Sequence, residues 1–315
     1  MNKLPKNLKK AIEGRLSFIR LHLDTSFPKS LDDLYAYSKS RMDFYLTLLA
    51  ITGTYPTYEN VKIFRSEVHL HGVHKALDEA INQLRNDSHI FYLANNIVFT
   101  YDEISFLIDN THTSKSKYLT GIQRVSNGLL LNNSYKAMSF SFNLNYGIIS
   151  ILDNQFEYFL KETKFIISVK NIIGRFYKNE VARNVLSIFI YLPKKVYRKY
   201  RLSRLQKNNQ RIENYLILNK SILIVEIPHK KEILEIHKAI LQFTKTEYTT
   251  FLHDFIPIFH STTIEDSMLG HFTDYMSIPL FSNRLVTSSS LVREQIELVM
   301  AAFRLERTEY SSKPL

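Results

Sequence analysis

Residues 109–125 read DNTHTSKSKYLTGIQRV, a polar stretch between a short apolar run and the start of a helical pattern. The run before it, at residues 105–108, has the composition of a β-strand. After it, Ile122, Val125 and Leu129 recur at spacings of three and four, which indicates one apolar helix face. The stretch therefore predicts a strand–loop–helix unit, the building block of an α/β fold.

The helix that opens at Thr120-Gly121 would present free backbone N–H groups and the positive end of its dipole. Both favour an anion such as a phosphate, and Gly121 would let that anion approach the backbone closely. A plain strand–loop–helix connection without a ligand is the other interpretation, and spacing alone favours it because a glycine at a helix start is common.

A second block, residues 250–260, reads TFLHDFIPIFH. Its β-run delivers His253 and Asp254 to the carboxyl end of the strand, where open α/β sheets bind ligands. Pro257 then prevents regular strand pairing from continuing. His253 can donate a hydrogen bond or transfer a proton near neutral pH, although a structural role in the loop is an equal alternative.

A third block, residues 283–294, reads NRLVTSSSLVRE. It predicts a short strand, a cap at Ser289 or Ser290, and a helix. We interpret this block as architectural. The inward face of the helix is predicted to hold Leu291, Ile296, Val299 and Phe303.

Further β-type runs alternate with helical stretches, which indicates an α/β protein with a parallel sheet. The sequence predicts a hairpin around Asp153-Asn154 that joins runs at 146–152 and 156–160. The other predicted strands lie at 90–93, 97–100, 137–142, 222–225, 248–252 and 284–287.

Residues 1–88 form a helical N-terminal extension in this interpretation, and residues 89–315 form the Rossmann-like domain. The apolar face of the first helix is given by Leu8, Ile12, Leu16 and Ile19. Ser30 is the predicted N-cap of a second helix whose buried face extends to Leu49. The stretch GTYPT at 53–57 interrupts the pattern, and a third helix is predicted over 74–85.

The net charge of +11 is concentrated in one segment. Residues 161–211 contain fourteen Lys and Arg against two Glu, a local balance of +12, and the rest of the chain has 27 basic and 28 acidic residues. Aromatic and apolar residues interleave with these charges, which predicts a basic amphipathic insertion on an anionic membrane surface. Its predicted membrane-facing cations are Lys194, Lys195, Arg198, Lys199, Arg201 and Arg204.

Two alternatives remain for this basic segment: a solvated helical insertion without a partner, and a nucleic-acid contact. Nucleic acid is the least favoured, because no recognised binding module accompanies the charge, and we expect no nucleic-acid partner. The N terminus has no signal-type apolar region, and the longest nearly apolar stretch, residues 185–192, falls short of the roughly 20 residues that span a bilayer. We therefore expect a cytoplasmic protein, peripheral at the inner face of the membrane.

Metal chemistry finds little support in the sequence. The chain has no cysteine, so disulfides and thiolate metal sites are excluded. His69, His71 and His74 lie close together, but no fourth ligand accompanies them nearby. We expect no metal site.

In their order and spacing, TGIQRV at 120–125, HDFIP at 253–257 and RLVTSSS at 284–290 resemble glycosyltransferase family 4. The resemblance covers roughly residues 103–303 and implies the N-terminal, acceptor-side half of a GT-B glycosyltransferase. That family transfers a sugar from a nucleotide donor with retention of configuration, generally without a metal. It implies a nucleotide-sugar donor and a glycan or lipid-linked acceptor as partners, with no other cofactor, in cell-surface polysaccharide or glycan synthesis.

The resemblance also implies roles for individual residues. His253 would contact the donor sugar as the catalytic residue, and Gly121 would lie near the donor diphosphate. Gln123 and Arg124 match the same motif, and Arg124 would face phosphate or acceptor. Asp254 would serve local structure.

The sequence departs from the family pattern in its second half. The family's C-terminal half holds most of the nucleotide site and two glutamates eight positions apart. Glu59 and Glu67 have that spacing, but they precede the α/β region and have no Gly-rich turn beside them. We expect an incomplete chain that becomes an active hexosyltransferase only with a C-terminal donor-binding domain. The alternative is a catalytically inactive, transferase-derived module that binds a membrane surface or a partner protein.

Overall fold

The computed structural model describes residues 4–37, 43–112, 121–131, 137–144, 147–152, 211–228, 230–254, 259 and 266–302. These residues form an α/β protein with a mostly parallel sheet, as the sequence predicts, and the arrangement is compatible with a Rossmann-like fold. The described helices and strands up to residue 152 and from residue 213 onward belong to one compact unit.

The helices are α1 (Lys6–His22), α2 (Leu31–Tyr35), α3 (Phe44–Thr52), α4 (Tyr58–His71), α5 (Val73–Asn86), α6 (Ser88–Asn96), α7 (Gly121–Leu131), α8 (Lys231–Phe243), α9 (Asp266–Tyr275), α10 (Ser277–Phe281) and α11 (Ser290–Ala302). The strands are β1 (Ile97–Thr100), β2 (Phe106–Asp109), β3 (Met138–Asn143), β4 (Ile148–Ile151), β5 (Ile212–Tyr215), β6 (Ser221–Ile224), β7 (Glu247–Leu252) and β8 (Arg284–Thr287).

The main sheet has the strand order β4-β3-β2-β6-β7-β8. All neighbouring strands in it are parallel except β4, which pairs antiparallel with β3. The hairpin partner of β4 is therefore β3, and the run predicted at 156–160 lies outside the described residues. Strands β1 and β5 form a separate two-stranded sheet.

The predicted N-terminal helices are confirmed where their apolar spacing is regular. Leu8, Ile12, Leu16 and Ile19 are all fully buried along α1. Every described element before residue 88 is helical, and the helical part continues through α6 to Asn96. Described residues on both sides of residue 88 belong to one compact unit, so the predicted domain boundary stays a prediction.

Three local predictions are wrong, each because a cap or a helix face was misread. Ser30 caps only α2, which ends at Tyr35, and Asp43 caps α3 separately by accepting a hydrogen bond from Leu46 N at 2.9 Å. Residues 90–93 belong to α6 rather than to a strand, because the Asp87 carboxylate accepts from the N–H groups of the first turn. In α11 the side chain of Leu291 is 60% exposed, whereas the predicted Ile296 is buried together with Val292 and Met300; Val299 is half-buried, and Phe303 lies outside the described residues.

The two faces of the sheet are covered by different helices. On α7, Ile122, Val125 and Leu129 pack against a cluster of Ile108, Leu223 and Val225. Because successive strand residues point to opposite faces, Asp109 points to the other side of the sheet, where it meets His237 of α8.

Arg15 of α1 joins the helical part of the chain to β1 although it is only 2% exposed. Its guanidinium donates to the carbonyl oxygens of Ala50 and Ile51 near the end of α3, and to those of Ala94 and Ile97 near the end of α6. Terminal helix carbonyls have no partner within their own helix, so the guanidinium supplies the missing donors. Burial lowers the pKa of Arg15 to about 9, so the side chain remains charged at neutral pH.

The basic segment that carries the predicted membrane contact lies outside the described residues, except for its last residue. This applies to Lys194, Lys195, Arg198, Lys199, Arg201 and Arg204, so the membrane-surface assignment stays a prediction. Among the helices that are described, none combines the length and apolar character that crossing a bilayer requires.

Candidate functional site

The sheet has a topological switch point between β2 and β6. From β2 the chain continues to β3 on one side, whereas from β6 it continues to β7 and β8 on the other side. Open α/β sheets bind ligands in the crevice outside the carboxyl ends of the strands at such a point. The residues that follow β2 and β6 are therefore the strongest candidates for a binding site.

Asp109, the last residue of β2, is held in a buried polar chain. Its Oδ2 lies 2.8 Å from His237 Nε2, and His237 Nδ1 lies 3.0 Å from the hydroxyl of Tyr248. Thr111 donates its N–H and its hydroxyl to Asp109 Oδ1. Burial opposes ionisation of Asp109, but the hydrogen bonds from His237 and Thr111 outweigh it and lower the pKa of the carboxyl. The carboxylate is thus fixed in both charge and orientation.

A cavity of about 80 Å³ opens at this switch point. Asp109, Thr111 and His112 line it from β2, residues 226–228 line it from β6, and Lys230 and Ile233 line it from the start of α8. Glu226, which is 6% exposed, accepts a hydrogen bond from His112 N at 3.2 Å. That bond joins the ends of β2 and β6 across the switch point.

His253 lies immediately after β7, on the same carboxyl edge of the sheet. Its Nε2 lies 2.8 Å from the carbonyl oxygen of Val225, and its own carbonyl accepts from the Ser288 hydroxyl after β8. A carbonyl oxygen only accepts, so Nε2 carries the proton and a neutral ring leaves its lone pair on Nδ1. Burial lowers the pKa of His253 despite the hydrogen bond to Val225. The ring is therefore neutral at pH 7 and suits hydrogen bonding better than charge–charge contact.

The TGIQRV element also reaches this edge. Helix α7 begins at Gly121, and its Ser126 hydroxyl donates to Asn110 Oδ1 at 3.1 Å, directly after β2. Arg124 is exposed, whereas the side chain of Gln123 lies outside the described part of the chain. The first turns of α7 are thus fixed beside the end of β2.

Of the predicted site residues, the structure places His253 and the start of α7 on the carboxyl edge where β2, β6 and β7 end. Roles for Glu226, Asp109 and His237 were not predicted from the sequence. One signal was available for the carboxylates, because Asp109 and Glu226 each follow a short apolar run in the same way that His253 does. Their juxtaposition was not visible, since it depends on β2 pairing with β6 across more than a hundred residues.

A larger groove, with a volume of about 470 Å³, lies among α3, α4, α5 and α6. Its walls include the buried side chains of Leu48, Phe64 and Leu84, with Glu67 and Glu79 among the polar residues. No described residue of TGIQRV, HDFIP or RLVTSSS lines it, so it provides no chemistry for the site at the sheet edge.

The histidines of the sequence HLHGVH are separated by the break between α4 and α5. His71 pairs with Glu67 at 3.6 Å, and the His74 ring packs against Tyr35. Within the described ranges, no group of three or more metal-binding side chains comes together.

A scan against protein-family models and searches of curated proteins and of solved structures find no match to this chain. The function is therefore inferred from the site itself and from the motifs that form it.

Proposed function

We propose that this chain forms the acceptor-side, Rossmann-like half of a retaining, nucleotide-sugar-dependent glycosyltransferase of the GT-B type. One observation carries the proposal: two elements with family-like motifs lie on one carboxyl edge of the sheet. His253 contacts Val225 there, and α7 is bonded to Asn110 through Ser126. Parallel pairing of β2, β6 and β7 brings both elements to this edge.

In this proposal the start of α7 faces the donor diphosphate. The free N–H groups near Gly121 and the exposed guanidinium of Arg124 favour the charge that develops on the leaving group. Gln123 belongs to the same turn. His253 positions the donor sugar through the hydrogen-bonding capacity of a neutral ring, and no metal is required for these steps.

The proposed reaction needs a second, donor-binding half, supplied by a C-terminal domain or by another chain. The basic segment at 161–211 would hold the enzyme at the inner, cytoplasmic face of a membrane, where lipid-linked acceptors for cell-surface polysaccharide are found. Both statements belong to the proposal.

The test uses the complete reading frame, incubated with radiolabelled UDP- and GDP-sugars and a bacterial lipid extract as acceptor. We expect transfer or donor hydrolysis, and a fall in kcat/KM of about 100-fold or more for His253→Ala, as for loss of one preorganised polar contact. His71→Ala, on the exposed side of α4, is the matched control and should retain full activity. Turnover of His253→Ala at the wild-type rate would contradict the role given to His253.

A second candidate is a non-catalytic module derived from such a transferase, which binds an anionic membrane. The local charge of +12 at residues 161–211 favours it. It predicts binding to anionic vesicles with neither transfer nor hydrolysis for any donor, which separates it from the enzyme.

A further inference from the structure

The cavity at the switch point differs chemically from a phosphate site. Asp109 and Glu226 line it and are only 5% and 6% exposed. Hydrogen bonds from Thr111 to Asp109 and from His112 to Glu226 fix the orientation of the two carboxylates. A bound anion would lie beside these buried carboxylates, and like charges repel strongly where water is excluded.

The same cavity has the two features that neutral carbohydrate requires. Its carboxylate oxygens accept hydrogen bonds from hydroxyl groups, and a charged acceptor makes such bonds stronger than a neutral one does. Ile227, Pro228 and Ile233 add an apolar wall against which the C–H face of a sugar ring can pack.

One feature of the cavity favours an anion instead. Lys230, which is exposed, and the start of α8 also line it. A phosphate at this position would depend on Lys230, whereas a neutral sugar would depend on Glu226. The two ligand classes are therefore separable by single substitutions.

We infer that the cavity between β2 and β6 binds a neutral sugar of the acceptor, with the Glu226 carboxylate accepting hydrogen bonds from its hydroxyl groups. The inference rests on the proposed function, because it assigns this cavity to the acceptor and leaves the donor diphosphate to the start of α7. Asp109 forms the second, fixed wall of the cavity. Glu226 is then a binding residue that positions the attacking substrate.

The test is ligand binding by the full chain without any donor, using saturation-transfer NMR and titration with glucose, galactose and N-acetylglucosamine, and with pyrophosphate in a parallel series. We expect at least one neutral sugar to bind and Glu226→Gln to weaken that binding by about tenfold or more, as expected for a hydrogen bond to a charged group. The exposed control Glu232→Gln, at a residue that does not line the cavity, should bind the sugar within about twofold of the wild type, an ordinary outcome for a surface substitution.

A second measurement uses the wild-type protein, so its result does not depend on whether Glu226→Gln folds correctly. Sugar titration should shift the backbone amide signals of His112 and Ile227, which line the cavity just beyond the ends of β2 and β6. The inference is overturned if no neutral sugar binds, if the shifts occur elsewhere, or if Glu226→Gln binds as the wild type does. It is also overturned if pyrophosphate binds at these amides and Lys230→Ala abolishes that binding.

The inference and the proposed function fail separately. If sugar binding depends on Glu226 but the complete reading frame uses no donor, the transferase proposal is contradicted and the sugar site is supported. If donor-dependent transfer occurs and is unchanged in Glu226→Gln, the sugar site is contradicted and the transferase proposal is supported.

Discussion

His237 Nε2 lies 2.8 Å from Asp109 Oδ2, and the two side chains are 0% and 5% exposed. The pair joins α8 to the end of β2 beneath the cavity at the switch point. Tyr248 closes the chain on the far side of the imidazole: its hydroxyl lies 3.0 Å from Nδ1, and burial raises the pKa of that hydroxyl, which therefore keeps its proton. With Nε2 donating to the carboxylate, each polar atom in this chain has a complementary partner.

Asp109→Asn should lower the free energy of unfolding by about 2–3 kcal/mol at pH 7, because it removes a charged acceptor from a buried hydrogen bond. The pKa of Asp109 is lowered on folding, so its contribution is complete above the ordinary value of about 3.9 and is lost as the pH falls through the folded-state value. The gap between wild type and variant should therefore narrow below about pH 4. Urea unfolding at pH 7 and at pH 3 measures both effects.

Asp32→Asn is the control for that experiment. The Asp32 carboxylate is exposed and 3.4 Å from Lys9, and exposed ion pairs contribute little. We expect a change within about 0.5 kcal/mol. Equal stability of Asp109→Asn and Asp32→Asn at pH 7 would show that the buried chain does not stabilise the fold.

Gly53 and Gly14 should respond oppositely to alanine. Gly53 ends α3 with φ 76°, and a Cβ there would lie 3.1 Å from the Ile97 side chain and 3.3 Å from Arg15 Nη1. Gly53→Ala should cost about 1–3 kcal/mol through backbone strain and displacement of the guanidinium. Gly14 lies within α1 with nothing near its added Cβ, so Gly14→Ala should stabilise the protein by about 0.5–1 kcal/mol. Thermal and urea unfolding of both variants check the pair, and a stabilised Gly53→Ala would contradict the close contact.

The imidazole of His253 should titrate below the ordinary histidine value of about 6.5, because burial disfavours its charged form. Since the pKa is lowered on folding, protonation destabilises the fold, and stability falls as the pH drops from about 6.5 through the folded-state value. A ¹H–¹³C NMR titration of the ring signals, assigned with His253→Gln, gives the midpoint. A midpoint at or above that of a free histidine would contradict the burial-driven shift.

Sequence patterns predicted most strands of the main sheet, because a run of β-type composition is a local feature of the sequence. Strands β2, β3, β6, β7 and β8 were all recognisable in this way, and so was the cap at Ser289. Strand β5 was not, because IENY has a weak β-type composition. Its place depends on Asn214, which donates to Gly53 O at 2.7 Å and accepts from Ile149 N at 2.8 Å.

The candidate site was predicted only in part, because some of its residues belong to local motifs and others meet only through long-range contacts. His253 and the start of α7 carry local motifs, and a local motif is visible in one sequence. The contact between His112 and Glu226, and that between Asp109 and His237, each join residues more than a hundred positions apart. Strand pairing creates these contacts, so a single sequence does not reveal them.

The predicted membrane contact of the basic segment can be tested independently of catalysis. Replacing Lys194, Lys195, Arg198, Lys199, Arg201 and Arg204 with Gln should abolish sedimentation with vesicles of phosphatidylglycerol and phosphatidylcholine, since each basic residue near an anionic surface contributes about 1 kcal/mol. Wild-type binding should also weaken as salt rises from 0.1 to 1 M, because the Debye length falls from about 10 to about 3 Å. The matched control removes the same number of exposed cations elsewhere, at Lys6, Lys10, Arg65, Lys75, Lys231 and Lys245. Equal loss of binding in both variants would show that net charge, and not the segment at 161–211, determines the attraction.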